Sequence, residues 1–303
     1  MSLLILGRQG QLARALSEAL PDAQALGRET LDLADTAAIA PALLAMRPRA
    51  IVNAAGWTAV DLAECEPAAA WRLNASAVAE IAAAAAELGI PLVHISTDYV
   101  FDGLATAEYP PDAPARPLGA YGRSKLAGEL AAATLCPQHW ILRTSWVFSH
   151  MGTNFLRTML RLGGEREHLR VVADQFGRPT AAEDLGALIA SLLAAIEAGR
   201  APPPGVYHAT GGPVVSWHGF AEAIFREAVA CGLLERAPAV EAIATVDYPT
   251  PAPRPLRAVL APSEALLGPG AAAPDWTRAL PRSLARIHEL ARGARPPADL
   301  VRS

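Results

Sequence analysis

The feature that most limits how this chain can fold lies near its N-terminal end. Leu3-Leu4-Ile5-Leu6 is an uninterrupted apolar run that stops at Gly7-Arg8-Gln9-Gly10, and Leu12, Ala15, Leu16 and Leu20 then recur at helical spacing. A wholly apolar strand is one covered on both faces, and a strand that turns through glycine directly into a helix opens a parallel βαβ unit. The rhythm continues: strands are predicted at 23–26, 50–53, 92–96 and 140–143, and helices at 36–46, 68–88 and 124–133. That alternation predicts an α/β fold, a Rossmann-type doubly wound parallel sheet.

Beyond Trp146 the pattern changes. Helices are expected at 154–162, 183–198, 216–230 and 278–292, short strands at 169–173 and 206–209, and Pro-rich connections at 249–255 and 268–274. The apolar helix at 183–198 is expected to return to the sheet. The expected division is therefore residues 1–145 plus about 181–212 as a dinucleotide-binding domain, and about 146–180 and 213–303 as a smaller α/β substrate domain. No internal repeat of fixed period is seen.

Composition excludes several classes of function. With 52% hydrophobic and 18% charged residues spread over 303 positions, the chain is neither disordered nor fibrous. A formal net charge of −4 without blocks of like charge leaves no nucleic-acid footprint. No apolar stretch free of charge reaches the roughly 20 residues a bilayer needs, and no secretory leader is recognisable, so a cytoplasmic protein without a membrane span is expected. Three cysteines, Cys65, Cys136 and Cys231, suggest neither a disulfide framework nor a zinc site. Small-molecule chemistry leads.

The first turn, Gly7 to Ala13, has the pattern G-x-x-G-x-x-A, which lets backbone N–H groups approach a pyrophosphate at a helix N-terminus. Arg28, about 20 residues on, falls where an arginine accommodates a 2′-phosphate, favouring NADPH and leaving NADH open. Asp32 is expected near the adenine, or is a plain loop carboxylate. The sharpest signal is Tyr121-Gly122-Arg123-Ser124-Lys125, with Ser96-Thr97 at a strand end upstream; of 26 basic residues only Lys125 is a lysine. Tyr at i and Lys at i+4 share a helix face. An ammonium about 4–5 Å from the phenol is worth roughly 3–4 kcal/mol at an effective dielectric of 20, enough to draw its pKa from near 10 toward neutrality. The expected role of Lys125 is to make Tyr121 a usable proton carrier.

These residues, with Asn53-Ala54-Ala55-Gly56, resemble the extended short-chain dehydrogenase/reductase superfamily. Further segments resemble its dTDP-4-dehydrorhamnose reductase family: Trp57-Thr58-Ala59-Val60-Asp61, Ser96-Thr97-Asp98-Tyr99-Val100-Phe101-Asp102-Gly103, Arg143-Thr144-Ser145-Trp146, Asp174-Gln175-Phe176-Gly177-Arg178-Pro179-Thr180 and Asp247-Tyr248-Pro249-Thr250-Pro251-Ala252-Pro253-Arg254-Pro255. The resemblance implies hydride transfer from NADPH to the C4 keto group of a dTDP-linked 4-keto-6-deoxy sugar, with Thr97, Tyr121 and Lys125 catalytic. It implies cofactor contacts at Gly7, Gln9, Gly10, Gln11, Leu12, Arg28, Asp32, Leu33, Ala54, Ala55, Gly56, Tyr121 and Lys125. Substrate contacts would come from Thr58, Val60, Thr97, Asp98, Tyr121, Trp146 and Arg254. Each of the outer three has a plainer reading, Trp146 as core, Thr58 as a helix cap and Arg254 as a surface charge.

The chain departs from the family pattern at Ala13, where many relatives carry a third glycine, and at Arg257-Ala258, where an Asn-Ser pair is usual. Some relatives are described as metal-bridged dimers; no acidic ligand set for Mg2+ can be mapped here, so metal use and the choice between monomer and homodimer stay open. A different nucleotide-sugar 4-ketoreductase is one alternative, and two more stand beside it. A dehydratase or epimerase would share Thr, Tyr and Lys, but a dehydratase needs a second acid where Tyr99 follows Asp98. A non-catalytic partner of a methionine adenosyltransferase would not require the intact triad.

Overall fold

The computed structural model describes residues 2–267 and 273–293. Its elements are, in order, β1 (Leu3–Leu6), α1 (Gln11–Ala19), β2 (Gln24–Leu26), α2 (Thr36–Met46), β3 (Ala50–Asn53), α3 (Val60–Cys65), α4 (Pro67–Trp71), α5 (Ala77–Leu88) and β4 (Leu92–Thr97). There follow α6 (Ala120–Leu135), β5 (His139–Thr144), β6 (Val147–Phe148), α7 (Phe155–Glu165), β7 (His168–Val172), β8 (Phe176–Gly177), β9 (Thr180–Ala181), α8 (Ala182–Glu197), β10 (Gly205–His208), β11 (Val215–Ser216), α9 (Trp217–Ala230), β12 (Ala239–Ile243) and α10 (Trp276–Gly293). The expected connection at 268–274 lies mostly outside the described residues.

Six strands form one sheet in the order β10-β5-β4-β3-β1-β2, every pair parallel. All four residues of β1 and of β3 are buried, as strands covered by helices on both faces must be. One face packs Leu4, Leu6 and Ile51 against Ile39 and Leu43 of α2 and Val78 and Ile81 of α5. The other packs Leu3, Ile5 and Val52 against Leu12 and Leu16 of α1 and Leu185 and Ile189 of α8, so α8 does return to the sheet. Shortening a fully buried side chain such as Leu16 to Ala would cost about 2–5 kcal/mol. A third cluster, with Phe148, Leu156, Phe220, Ile224, Trp276 and Leu284, gathers side chains of α7, α9 and α10 away from the sheet.

The strand order reverses direction between β1 and β3, and ligands of open parallel sheets bind in the crevice outside the carboxyl ends of strands at such a point. Two differences from the sequence expectation bear on that crevice. The single helix expected at 68–88 is preceded by the separate turn α3, and α4 joins α5 through a π turn, Arg72–Ser76. The helix expected at 124–133 begins earlier, at Ala120, so Tyr121 and Lys125 lie in it one turn apart.

Candidate active site

At the β1 end of the crevice Gly7 has φ +99°, a backbone conformation that side chains rarely adopt, and its approach to β3 is close: a Cβ there would stand 3.2 Å from the Ala55 amide nitrogen. Gly10 closes the turn as the residue before α1, and a Cβ there would meet nothing within 4 Å. No side chain caps α1, and Gly10, Gln11 and Leu12 at its start border the cleft, so its first N–H groups are free for an anionic pyrophosphate. Gln11 anchors this turn to the second half of the chain: its Oε1 accepts from Asn154 Nδ2 at 2.8 Å, and Asn154 caps α7.

The β3 end is held by a residue that sequence reasoning missed. Asn74, buried in the π turn, accepts from the Trp57 N–H at 2.8 Å and donates from Nδ2 to the Trp57 carbonyl and the Ser124 hydroxyl. π turns of this kind cluster at functional sites because they re-aim one side chain. Here Asn74 fixes the Ala54–Trp57 segment against α6.

Thr97 ends β4, and its hydroxyl donates to Asp98 Oδ1 at 3.0 Å while accepting from the Tyr99 N–H at 3.2 Å. Tyr121 is 9% exposed and its ring meets that of Tyr99 edge-on, centroids 5.5 Å apart. Lys125 is 6% exposed, and its Nζ donates to the Ile95 carbonyl at 2.6 Å. One turn further along α6, the Glu129 carboxylate takes bonds from Arg143 Nε and Nη2 at 2.9 and 2.7 Å and from Ser96. This buried pair, with Ser96, joins β4, β5 and α6 beneath Thr97 and Lys125.

The protonation states differ from the sequence expectation. Burial pushes the Tyr121 phenol up to about 12, with the Asp98 carboxylate adding to the rise and the Thr97 hydrogen bond opposing it. Burial likewise draws Lys125 down to about 8 against the pull of Glu129. The expected lowering of the Tyr121 pKa is therefore corrected: withdrawing the phenolate from water dominates, and the charge that acts on the phenol here is that of Asp98 rather than Lys125. Burial also lifts Asp98 to about 7.

A cleft of about 470 Å³ collects Gln9, Gly10, Gln11, Leu12, Ala54, Ala55, Gly56, Thr58, Val60, Thr97, Asp98, Tyr121, Lys125 and Trp146 of the expected set. Trp217 and Thr153 also line it, and neither was singled out from sequence. Thr58 does not cap α3, whose cap is Ala59, and Trp146 is half-buried rather than core. Gly7, Arg28, Asp32, Leu33 and Arg254 lie outside the lining. Arg28 is exposed, 3.6 Å from Asp32, and Arg8 pairs with Glu29 at 2.6 Å, so the end of β2 carries two accessible guanidinium groups. Arg254 donates to Asp61 at 2.8 Å and its guanidinium lies at 5.9 Å over the ring of Tyr99, which in turn packs on Tyr121. Ala13 is buried among the α1 packing residues, Ala258 is buried and Arg257 lies over the Phe176 ring. Among the described residues no group of three or more His, Cys, Asp or Glu side chains is disposed to hold a metal ion, and no helix is long and apolar enough to cross a membrane.

Comparison with known proteins agrees with this geometry. Residues 1–289 match the model of the RmlD substrate binding domain family. A dTDP-4-dehydrorhamnose reductase of Aggregatibacter actinomycetemcomitans is 42% identical over 283 residues, covering 92% of this chain and 96% of that protein. The fold is similar to the crystal structure of a dTDP-4-dehydrorhamnose reductase from Clostridium acetobutylicum, with TM-score 0.86, 33% identity and coverage of 95% of this chain and 100% of that one. The enzyme of the same name from Bacillus anthracis, solved in complex with NADP, gives TM-score 0.85 and 33% identity over 94% of this chain and 100% of that one. The chain belongs to the RmlD substrate binding domain family, the family of the dTDP-4-dehydrorhamnose reductases.

Proposed function

We propose that this protein reduces the C4 keto group of dTDP-4-dehydro-6-deoxy-L-mannose, giving dTDP-L-rhamnose, with NADPH as the preferred reductant and NADH as a second one. The observation that carries the reading is the meeting of Thr97, a protonated Tyr121 and Lys125 in one cleft whose other end is an open helix N-terminus behind a glycine turn. The donor set fits a nicotinamide dinucleotide. The first N–H groups of α1 would take the pyrophosphate, Ala54 to Gly56 would border it, Lys125 would reach the nicotinamide ribose, and Arg28 with Arg8 would favour a 2′-phosphate. When bound, the nicotinamide supplies the hydride.

The side chains supply the rest. The carbonyl oxygen of the sugar sits between Thr97 and Tyr121, and rotation of the Thr97 O–H from Asp98 to that oxygen places one donor on it while the Tyr121 phenol places the second. As C4 gains the hydride, Tyr121 gives its proton to the forming alkoxide, leaving a C4 hydroxyl, and water later restores the phenol. A phenol pushed up to about 12 is fully protonated at neutral pH, the state that reduction requires. Lys125 meets the transient phenolate with its charge. Asp98 is followed by Tyr99, whose ring packs on Tyr121, so the second acid of a dehydratase is replaced by an aromatic wall. No step runs through Mg2+.

Residues 1–145 with about 181–212 serve as the cofactor-binding unit, and about 146–180 with 213–303 as the unit that covers the dTDP-sugar. The soluble substrates suit the cytoplasm, as monomer or homodimer. The test is to mix purified protein with NADPH, and separately NADH, and the 4-keto sugar nucleotide, following loss of reduced-nicotinamide absorbance. Oxidation abolished in Tyr121→Phe supports the assignment; cofactor binding without oxidation overturns it.

A further inference from the structure

Trp146 is held in an uncommon way. It follows β5 and Ser145 with φ +48°, a left-handed conformation that a bulky residue keeps only when its surroundings impose it. Four contacts impose it. Its carbonyl accepts from the Thr180 N–H, and the Ser145 hydroxyl donates to the Arg178 carbonyl at 2.7 Å, fixing the backbone on either side of the turn. Its indole edge occupies the space beside Gly177, where a Cβ would stand 2.5 Å from Cε2 and 2.7 Å from Nε1. Its face lies flat on Trp217, centroids 3.5 Å apart and planes within 6°.

Gly177 lies in β8 and Trp217 directly follows β11, and these two strands form one small antiparallel pair in which Gly177 faces Val215 and Phe176 faces Ser216. Trp217 is the first residue of α9, whose cap Ser216 accepts from the Gly219 N–H at 3.1 Å. Behind Trp217 stands Phe155, centroids 4.6 Å apart, and behind that Phe220 of the third core cluster. An unbroken run of rings thus leads from the core of the second half to the cleft wall. Trp146 and Trp217 both line the cleft that holds Thr97 and Tyr121.

We propose that Trp217, with Gly177, is a positioning residue for the reaction: it sets the plane of the Trp146 indole, and that plane sets how the sugar ring lies against Thr97 and Tyr121. This rests on the cleft being the sugar site. Flat aromatic contact orients without hydrogen-bond geometry, so the loss of Trp217 should fall on sugar placement and leave cofactor binding alone.

The experiment compares the native chain with Trp217→Ala, Trp217→Phe and Gly177→Ala. Without any ligand, the far-ultraviolet circular dichroism of the native chain minus that of Trp217→Phe should contain an indole exciton couplet, the mark of two stacked tryptophans. Trp217→Ala should lower kcat/KM for the 4-keto sugar nucleotide roughly tenfold, with KM raised and NADPH affinity unchanged. Trp217→Phe restores a flat face and should recover most of that loss although the couplet is gone. Gly177→Ala displaces the indole and should lower kcat/KM while Trp217 is intact, which keeps the test alive if Trp217→Ala does not fold. Absence of the couplet, full activity in Trp217→Ala or in Gly177→Ala, or an equal loss of NADPH affinity overturns the proposal. If the native chain does not turn over the sugar nucleotide, the functional reading fails separately. The couplet and calorimetric binding of dTDP-L-rhamnose then decide whether Trp217 positions Trp146.

Discussion

The two walls of the cleft are made by opposite means. On one, Thr97, Tyr121 and Lys125 project from β4 and α6, neighbouring regular elements whose backbones set the side-chain positions and whose base is tied by the Glu129–Arg143 pair. On the other, Trp146, Gly177 and Trp217 come together from a strained turn, a two-residue strand and a helix start far apart in the chain. The first wall is the one to which the proposed reaction assigns the chemistry, where a small misplacement would be costly, and it rests on the sheet. The second is the one proposed to meet the sugar, and its shape is decided by packing between loops.

The largest effect should come from the first wall. Tyr121→Phe removes one oxygen from a buried ring, so kcat should fall roughly 10²–10⁴-fold while NADPH affinity and melting temperature stay close to native. A loss below tenfold in single-turnover kinetics would break the assignment of the proton donor. Next comes the tie beneath it. Glu129→Ala leaves Arg143 buried without its carboxylate, and urea titration should show about 3–5 kcal/mol of lost stability. Should the cost be near zero, the rigidity of this wall comes from the sheet alone.

Asp98 offers a pH test of the same wall. Its folded pKa, about 7, lies above its unfolded value near 3.8, so its contribution to stability is fully present below about pH 4 and is lost as pH rises through 7. Asp98→Asn should flatten the dependence of the urea midpoint on pH between 4 and 7, and an unchanged slope would place the titration elsewhere. The smallest effect is expected at the rim. The Asp61–Arg254 pair is partly exposed, so Asp61→Asn should change stability by no more than about 1 kcal/mol. It should alter the KM for the sugar nucleotide only a few-fold, without touching kcat.

Legibility followed the same division. Tyr121 and Lys125 could be read as partners because four residues are one helical turn, and the Gly7–Gly10 turn could be read because a strand and a helix flank it directly. Asn74 gave little sign: a polar residue in an Ala-rich stretch acts only because a π turn aims it at Trp57, 17 positions away. Trp217 falls within the helix that the spacing predicts at 216–230, with nothing to single it out. Its stacking on Trp146 depends on the β8–β11 pairing, which periodicity over two residues cannot announce.

By itself the sequence determined the alternation of strands and helices, the glycine turn and the placing of Tyr121 and Lys125 one turn apart on a helix, since each depends on spacings within one element or between adjacent ones. Tertiary structure alone decided the protonation of Tyr121, Lys125 and Asp98, the service of Asn74 and the stack of Trp217 on Trp146. Burial and shape are sums over residues distant in the chain, and the desolvation that raises the Tyr121 phenol is encoded by no local spacing.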